Sequence, residues 1–409
     1  AVLRYIGRHC YIFVPVMYFP TLPRGISAAE DVTFAAKPEW KMIWPDTAGW
    51  GADTLYFAVA TGVKTLEPRF CLGTDKNLAR LKLKELADEF DGNIYPKMRE
   101  YYGSEPDIDG DPKIFILLDD IRDGQGSYRG YVWKANELPN SVYGQSNEKE
   151  LIYLDLFPTF LNNPVKGYET IAHEFTHLIC FNEGDTVNGA NIDQEETWLE
   201  EGFTTYASYV YNKSFSTNVD AFIRQPDTQL NNWDNGSVFA HYGASFLFVF
   251  YMMEHYGKSN GPTFMKNWNR DKAKGIESVN NALRGFNTTF KDVFADWVIA
   301  NFLDKTRKMD QSPLNDGKWG YFVDNDFDTT NNIGVNESLP VKFSERIILT
   351  PQGAARSGQV YPYAADYIEF TGNTGNVNMG FDGDDRAQFK AAILKRGPQV
   401  DPSVEFIYL

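Results

Sequence analysis

The chain reads as an α+β protein, with a mixed strand-and-helix middle between β-rich ends. Three observations carry this reading. The first 75 residues read mainly as strands, Tyr11-Ile-Phe-Val-Pro and Leu55-Tyr-Phe-Ala-Val-Ala being rich in β-branched and aromatic residues between Gly and Pro. Residues from about 167 to 303 carry helical periodicity, and beyond about 305 that periodicity fades into short strand segments between Gly- and Asn-rich turns. The organisation expected is a β-rich region over 1–75, a central domain over 76–305 and a small β domain over 306–409.

In chain order, Asn77-Leu-Ala-Arg-Leu-Lys-Leu-Lys-Glu-Leu-Ala-Asp-Glu-Phe spaces its apolar residues by three and four and predicts an amphipathic helix. Lys113-Ile-Phe-Ile-Leu-Leu and Leu151-Ile-Tyr-Leu-Asp-Leu predict strands on either side of a Gly-rich stretch. Helices are expected over 167–182, 195–212, 237–257, 275–285 and 288–303, with Gly184-Asp-Thr-Val-Asn-Gly189 as a polar loop. Arg346-Ile-Ile-Leu and Tyr367-Ile-Glu-Phe are the strand candidates of the last domain.

Composition narrows the function. Of 409 residues 43% are hydrophobic and 15% aromatic, which excludes a disordered chain. A net charge of −16 repels phosphate backbones, so no nucleic-acid partner is expected. No apolar run reaches the roughly 18 residues of a membrane span; the longest, Phe246-Leu-Phe-Val-Phe-Tyr-Met-Met253, is far shorter. Three cysteines, Cys10, Cys71 and Cys180, allow at most one bridge, for which Cys10 and Cys71 are the candidates. The start at Ala1 without Met suggests a removed leader and hence secretion.

The chemistry lies in Tyr168-Glu-Thr-Ile-Ala-His173-Glu174-Phe-Thr-His177-Leu-Ile. Residues four apart share one helix face, so both imidazoles can reach one ion, and imidazole suits zinc. Glu174 then stands beside the metal without binding it, where a carboxylate can take a proton from an activated water. The chain holds only five His, and a chance match to this spacing with Glu between would arise on the order of once in a few hundred chains of this length. A hydrolytic zinc needs a third protein ligand and an open position. The next helix offers four carboxylates, Glu195, Glu196, Glu200 and Glu201, and its spacing alone leaves the choice open.

His-Glu-Phe-Thr-His followed by Trp-Leu-Glu-Glu-Gly-Phe resembles the gluzincins, and within them the chain is most similar to the hyicolysin family of bacterial metallopeptidases. Gly7-Arg-His-Cys-Tyr-Ile-Phe-Val, Asp107-Ile-Asp-Gly-Asp-Pro-Lys-Ile-Phe-Ile-Leu-Leu-Asp-Asp-Ile and His241-Tyr-Gly-Ala-Ser-Phe-Leu-Phe extend the resemblance over roughly residues 1–300. It implies a zincin-type catalytic domain, a secreted endopeptidase acting on polypeptides, and one catalytic Zn2+ held by His173, His177 and Glu201. It further implies Glu174 as general base and Tyr242 or His241 as donor to the oxyanion. Some gluzincins place Asp four residues after the ligand Glu to orient a zinc-bound His; here that position is Thr205, so Thr204, Thr205 or a backbone carbonyl must serve.

His255 reads as a favourable charge near a helix C-terminus and His9 as structural. Asp107, Asp109 and Asp111, and again Asp324, Asp326 and Asp328, share the opening of a Ca2+ loop but lack its Glu at the twelfth position. Solvated turns are the plainer reading of both, and of Asp382-Gly-Asp-Asp385. The rival functions are a catalytically retired scaffold that binds through its β regions, and a zinc amidase that cuts another bond.

Overall fold

The computed structural model describes residues 1–15, 76–121, 128–234, 236–258, 260–303, 318–321, 341–350, 357–372, 380, 382, 389–394 and 404–408. The strand expected at Leu55–Ala60, together with Cys71, Asp324, Asp326, Asp328, Asp384 and Asp385, lies outside them. The described chain is mixed α+β, as expected, and falls into two compact units.

The first unit, Ala1–Gln194 with Val210–Asn212, is built on a five-stranded mixed sheet. Strands β1 (Val2–Ile6), β2 (Cys10–Val14), β3 (Ile114–Asp119), β4 (Gly130–Val132) and β5 (Leu151–Asp155) lie in the order β1-β2-β3-β5-β4. β2, β3 and β5 run parallel, while β1 and β4 are antiparallel at the edges. The parallel strands are buried almost from end to end, as their unbroken apolar runs require of a sheet covered on both faces. Tyr11, Phe13, Phe115, Leu117, Leu151 and Tyr153 make one buried cluster, against which Tyr131 of β4 packs.

Helix α1 (Lys76–Glu89) passes through a wide turn at Phe90–Ile94 into α2 (Tyr95–Tyr102). The sequence pattern stops at Phe90, because Asp91-Gly92-Asn93 breaks the apolar period. Asp91 is used instead as a cap, accepting from the backbone N–H of Arg8 and His9, while the His9 ring stacks on Tyr95 at 4.0 Å. His9 is structural, in line with its reading. Helix α3 (Pro164–Glu183) follows, and then a hairpin of β6 (Thr186–Asn188) and β7 (Asn191–Asp193) where a polar loop is expected. Cys10 and Cys180 are both buried, and the bridge expected between Cys10 and Cys71 involves a residue outside the described ones.

The second unit, Glu195–Tyr209 with Lys213–Leu409, is mostly helical. Helix α4 (Thr197–Asn212) contributes residues to both units; α5 (Asn218–Arg224), α6 (Val238–His255), α7 (Gly261–Asn269), α8 (Gly275–Ala282) and α9 (Phe290–Leu303) complete the set. Short α5 and α7 lack a long apolar period and have no counterpart in the sequence reading. Their interior is aromatic: Trp198 meets Phe248, Phe203 meets Trp268, and Phe222 stacks on Trp297. Strands β8 (Glu345–Ile348) and β9 (Ile368–Thr371) pair in parallel, and β10 (Lys390–Leu394) pairs antiparallel with β11 (Val404–Tyr408). The segment carrying β8 is fastened to the helices by Val341 N–H to the Asn301 carbonyl and Lys342 N–H to the Ile223 carbonyl.

Candidate metal centre

Helix α3 starts three residues before its expected position, because Asn163 caps it and Pro164 occupies the first turn. The Asn163 side chain accepts from Lys166 N–H at 3.3 Å, and the missing N–H of Pro164 costs nothing there. Thr170 and Thr176 turn their hydroxyls back onto the helix, donating to the carbonyls of Lys166 and Ala172 at 2.8 Å each. Their polar atoms are thereby satisfied within an apolar surface. Ile171, Ala172, Phe175, Leu178 and Ile179 are fully buried. From Ile171 to Phe181 every residue is buried except His173 and His177, which are half-buried. Their ring centroids are 5.0 Å apart, at 70°. Glu174, about 100° further round the helix, is 5% exposed.

Helix α4 repeats the pattern: from Trp198 to Ala207 every residue is buried except Glu201, again half-buried. One ligand atom from each of His173, His177 and Glu201 lies within 4.8 Å of the other two. A tetrahedral ion with bonds of about 2.1 Å needs ligand atoms roughly 3.4 Å apart, a gap that side-chain rotation closes. Two imidazoles and one carboxylate are also a donor set that catalytic zinc takes. The residues fit the metal.

The four carboxylates near the start of α4 separate by environment. Glu195 accepts from Gly275 N–H at 2.6 Å and Glu196 N–H at 2.7 Å, and burial pushes its carboxyl up to about 7. Glu196 accepts from the indole N–H of Trp198 at 2.6 Å, and Glu200 is buried. Of the four, Glu201 meets the imidazoles. Thr204 Oγ1 lies 3.4 Å from the Glu201 carboxylate as well as 3.3 Å from its carbonyl. Thr204 therefore steadies the carboxylate rather than an imidazole.

His241 and Tyr242 stand in the first turn of α6, outside the ligand group. His241 is 2% exposed, its Nε2 lying 3.2 Å from Asp234 Oδ2, and Trp233 packs its ring against His241 and Tyr242. Asp234 is held below the usual carboxylate range by that contact and by the N–H groups of Gly236 and Ser237. Asp234 is the partner that reading the sequence missed. It lies seven residues before His241 across a turn, a separation with no periodic signature.

Edge strand β4 lies against α3. A Cβ on Gly130 would come 2.7 Å from Thr170 Cγ2 and 3.3 Å from Glu174 Cγ, so only glycine permits this approach. His255 bonds the Gly320 carbonyl at 2.9 Å and stacks on Tyr251. The acidic turn is engaged within the protein: Asp109 pairs with Lys149 at 2.5 Å, and Asp111 accepts from the Tyr11 hydroxyl at 2.9 Å. Among the described residues, no helix is long and apolar enough to cross a membrane.

Fold and site together define an α+β protein with a three-ligand His–His–Glu group suited to one metal ion. No family model matches the chain. The chain is similar to the neutral metalloprotease ShpI of Staphylococcus hyicus, 28% identical over 223 residues, which are 51% of this chain and 50% of that protein. It thus spans about half the length of the curated relative it matches. The likeness supports a family relationship with metalloproteases.

Proposed function

We propose that the protein is a secreted zinc-dependent endopeptidase of gluzincin type, with a zincin-like catalytic domain over 76–305 flanked by 1–75 and 306–409. The carrying observation is the approach of His173, His177 and Glu201 to within 4.8 Å, with buried Glu174 between the two histidines in sequence. The name of the relative ShpI supports the same reading. His173, His177 and Glu201 hold the ion. When bound, zinc supplies a Lewis acid that lowers the pKa of a water towards about 7 and polarises the scissile carbonyl.

A Glu174 carboxylate oxygen takes the proton of the attacking water and passes it to the leaving amine nitrogen. Water is largely excluded around it, which strengthens its electrostatic action. His241, oriented by Asp234, or Tyr242 donates to the oxyanion. An extended polypeptide pairs with the edge of β4 that no described strand occupies, the other edge being bonded to β5. Gly130, lacking a Cβ, lets the strand pack close against Thr170 and Glu174 and so brings a strand-bound peptide near the base.

Casein hydrolysis by the purified protein tests this reading, with matched samples given 1,10-phenanthroline and then zinc, beside Glu174→Gln. Activity should vanish with chelator and return with zinc. Glu174→Gln should lose at least the roughly 10²–10⁴-fold that general acid–base catalysis supplies, while keeping stoichiometric zinc. Full activity in Glu174→Gln would sink the assignment. Bound zinc without peptide cleavage would favour an amidase, and no bound zinc a retired scaffold.

A further inference from the structure

The strand that would receive the peptide is a short one, and its attachment to α3 is made at two points. At one end Gly130 touches Thr170 and Glu174. Just past the other end, Lys134 opens a single turn, Lys134–Glu137, and its Nζ donates to Asp185 Oδ2 at 2.7 Å. The Lys134 and Asp185 side chains are 14% and 0% exposed. Such shielding separates this pair from the ordinary surface ion pair, whose contribution is near zero.

Both ends of the pair are anchored. Asp185 follows the last turn of α3, its N–H and that of Gly184 both returning to the Cys180 carbonyl at 3.1 and 2.8 Å. The turn carrying Lys134 is pinned through fully buried Asn136. Its carbonyl accepts from Ser146 Oγ and Lys149 N–H, and its Oδ1 accepts from both nitrogens of Asn147. Lengths agree as well: four extended steps from Gly130 to Lys134 span about 13 Å and eleven near-helical steps from Glu174 to Asp185 about 16 Å, a difference that a lysine side chain bridges.

We propose that Lys134 and Asp185 are a positioning pair, fixing edge strand β4 over α3 and so the distance from a strand-bound peptide to Glu174. The proposal rests on the peptidase reading above and adds two residues that touch neither metal nor peptide. Removing one partner breaks a shielded ion pair, and the strand loses that attachment to the end of α3. A displacement near 1 Å at the reacting centre costs on the order of 10²-fold in rate.

The test compares Lys134→Met, Asp185→Asn, Lys134→Arg and the exchanged double variant Lys134→Asp/Asp185→Lys with the wild type. An extended peptide and a blocked dipeptide amide serve as substrates, with zinc content and hydrogen exchange of the β4 amides as separate readouts. In the single neutral variants kcat/KM for the extended peptide should fall by about ten- to a hundredfold. The dipeptide, which barely uses the strand, should change by less than about twofold, zinc should stay stoichiometric and β4 amides should exchange faster. Lys134→Arg should restore most of the loss. Equal losses on both substrates, or unchanged β4 exchange, would overturn the proposal. A wild type that cleaves neither peptide would overturn the peptidase reading instead, and β4 exchange in Lys134→Met would still decide whether the pair holds the strand.

Discussion

Helices α3 and α4 both contribute to the metal group, yet they are built on opposite plans. α3 is self-sufficient at its start: an Asn cap, a proline in the first turn, and threonines bonded to its own carbonyls. α4 has no side-chain cap. Its start is held from outside, by Glu195 accepting from Gly275 N–H, and Gly202 beside its ligand admits another helix. In both, the candidate ligand positions are the openings in an otherwise buried stretch. The difference teaches that a ligand can be fixed by its own helix or by that helix's neighbours, and that the second kind leaves little trace in local sequence.

The sharpest break of this comparison sets Glu201→Ala against Glu200→Ala. Removing a ligand should cost zinc affinity more than the roughly 10–100-fold that loss of an outer partner costs. Glu200→Ala should retain zinc within about tenfold, because Glu200 lies outside the group formed by His173, His177 and Glu201. Competition with a fluorescent chelator measures both. If Glu200→Ala released the metal and Glu201→Ala kept it, the ligand assignment on α4 would be reversed.

The same difference explains what was legible. His173, Glu174 and His177 follow from spacing within one helix, since 3.6 residues per turn is a local property. The choice of Glu201 among four carboxylates is not local. It depends on Gly275 occupying Glu195, Trp198 occupying Glu196 and burial of Glu200. Buried parallel strands β3 and β5 were legible from their apolar runs, whereas β4, three half-buried residues after a Gly-rich stretch, has no apolar run to announce it. Asp234 and the Lys134–Asp185 pair arise from contacts across turns and 51 residues of sequence, which no period encodes.

Gly202→Ala probes the outside support of α4 directly. An added Cβ would lie 2.7 Å from Val249 Cγ2 and 3.0 Å from the Ser245 carbonyl of α6. The valine methyl can rotate away, but the backbone oxygen cannot. Overpacking of this kind costs about 1–3 kcal/mol, against which alanine returns up to about 1 kcal/mol of helix propensity. A net loss of about 1–2 kcal/mol is expected in denaturant unfolding, with weaker zinc binding because Glu201 is the preceding residue. A raised unfolding midpoint would show that α6 yields and that the close approach is incidental.

The smallest effect expected is the pH dependence of the Glu195 contact. Burial raises its carboxyl to about 7 from an ordinary 4.5. Between those values the folded protein keeps a proton that the unfolded chain has lost, so stability falls as pH rises through that window. Glu195→Gln carries no such proton and can still accept from Gly275 N–H. Measured in chelator-treated protein, so that pH-dependent metal binding drops out, the variant should gain on the wild type from about pH 5 to about pH 7 and hold that gain above it. The gain should stay well under the roughly 3 kcal/mol that complete linkage would allow, because partial hydration screens the group. Other titrating groups, buried Glu150 among them, are common to both proteins and cancel in the difference. Parallel stability curves across the window would mean that Glu195 is ionised in the folded protein, and that the start of α4 is held by a charged clamp.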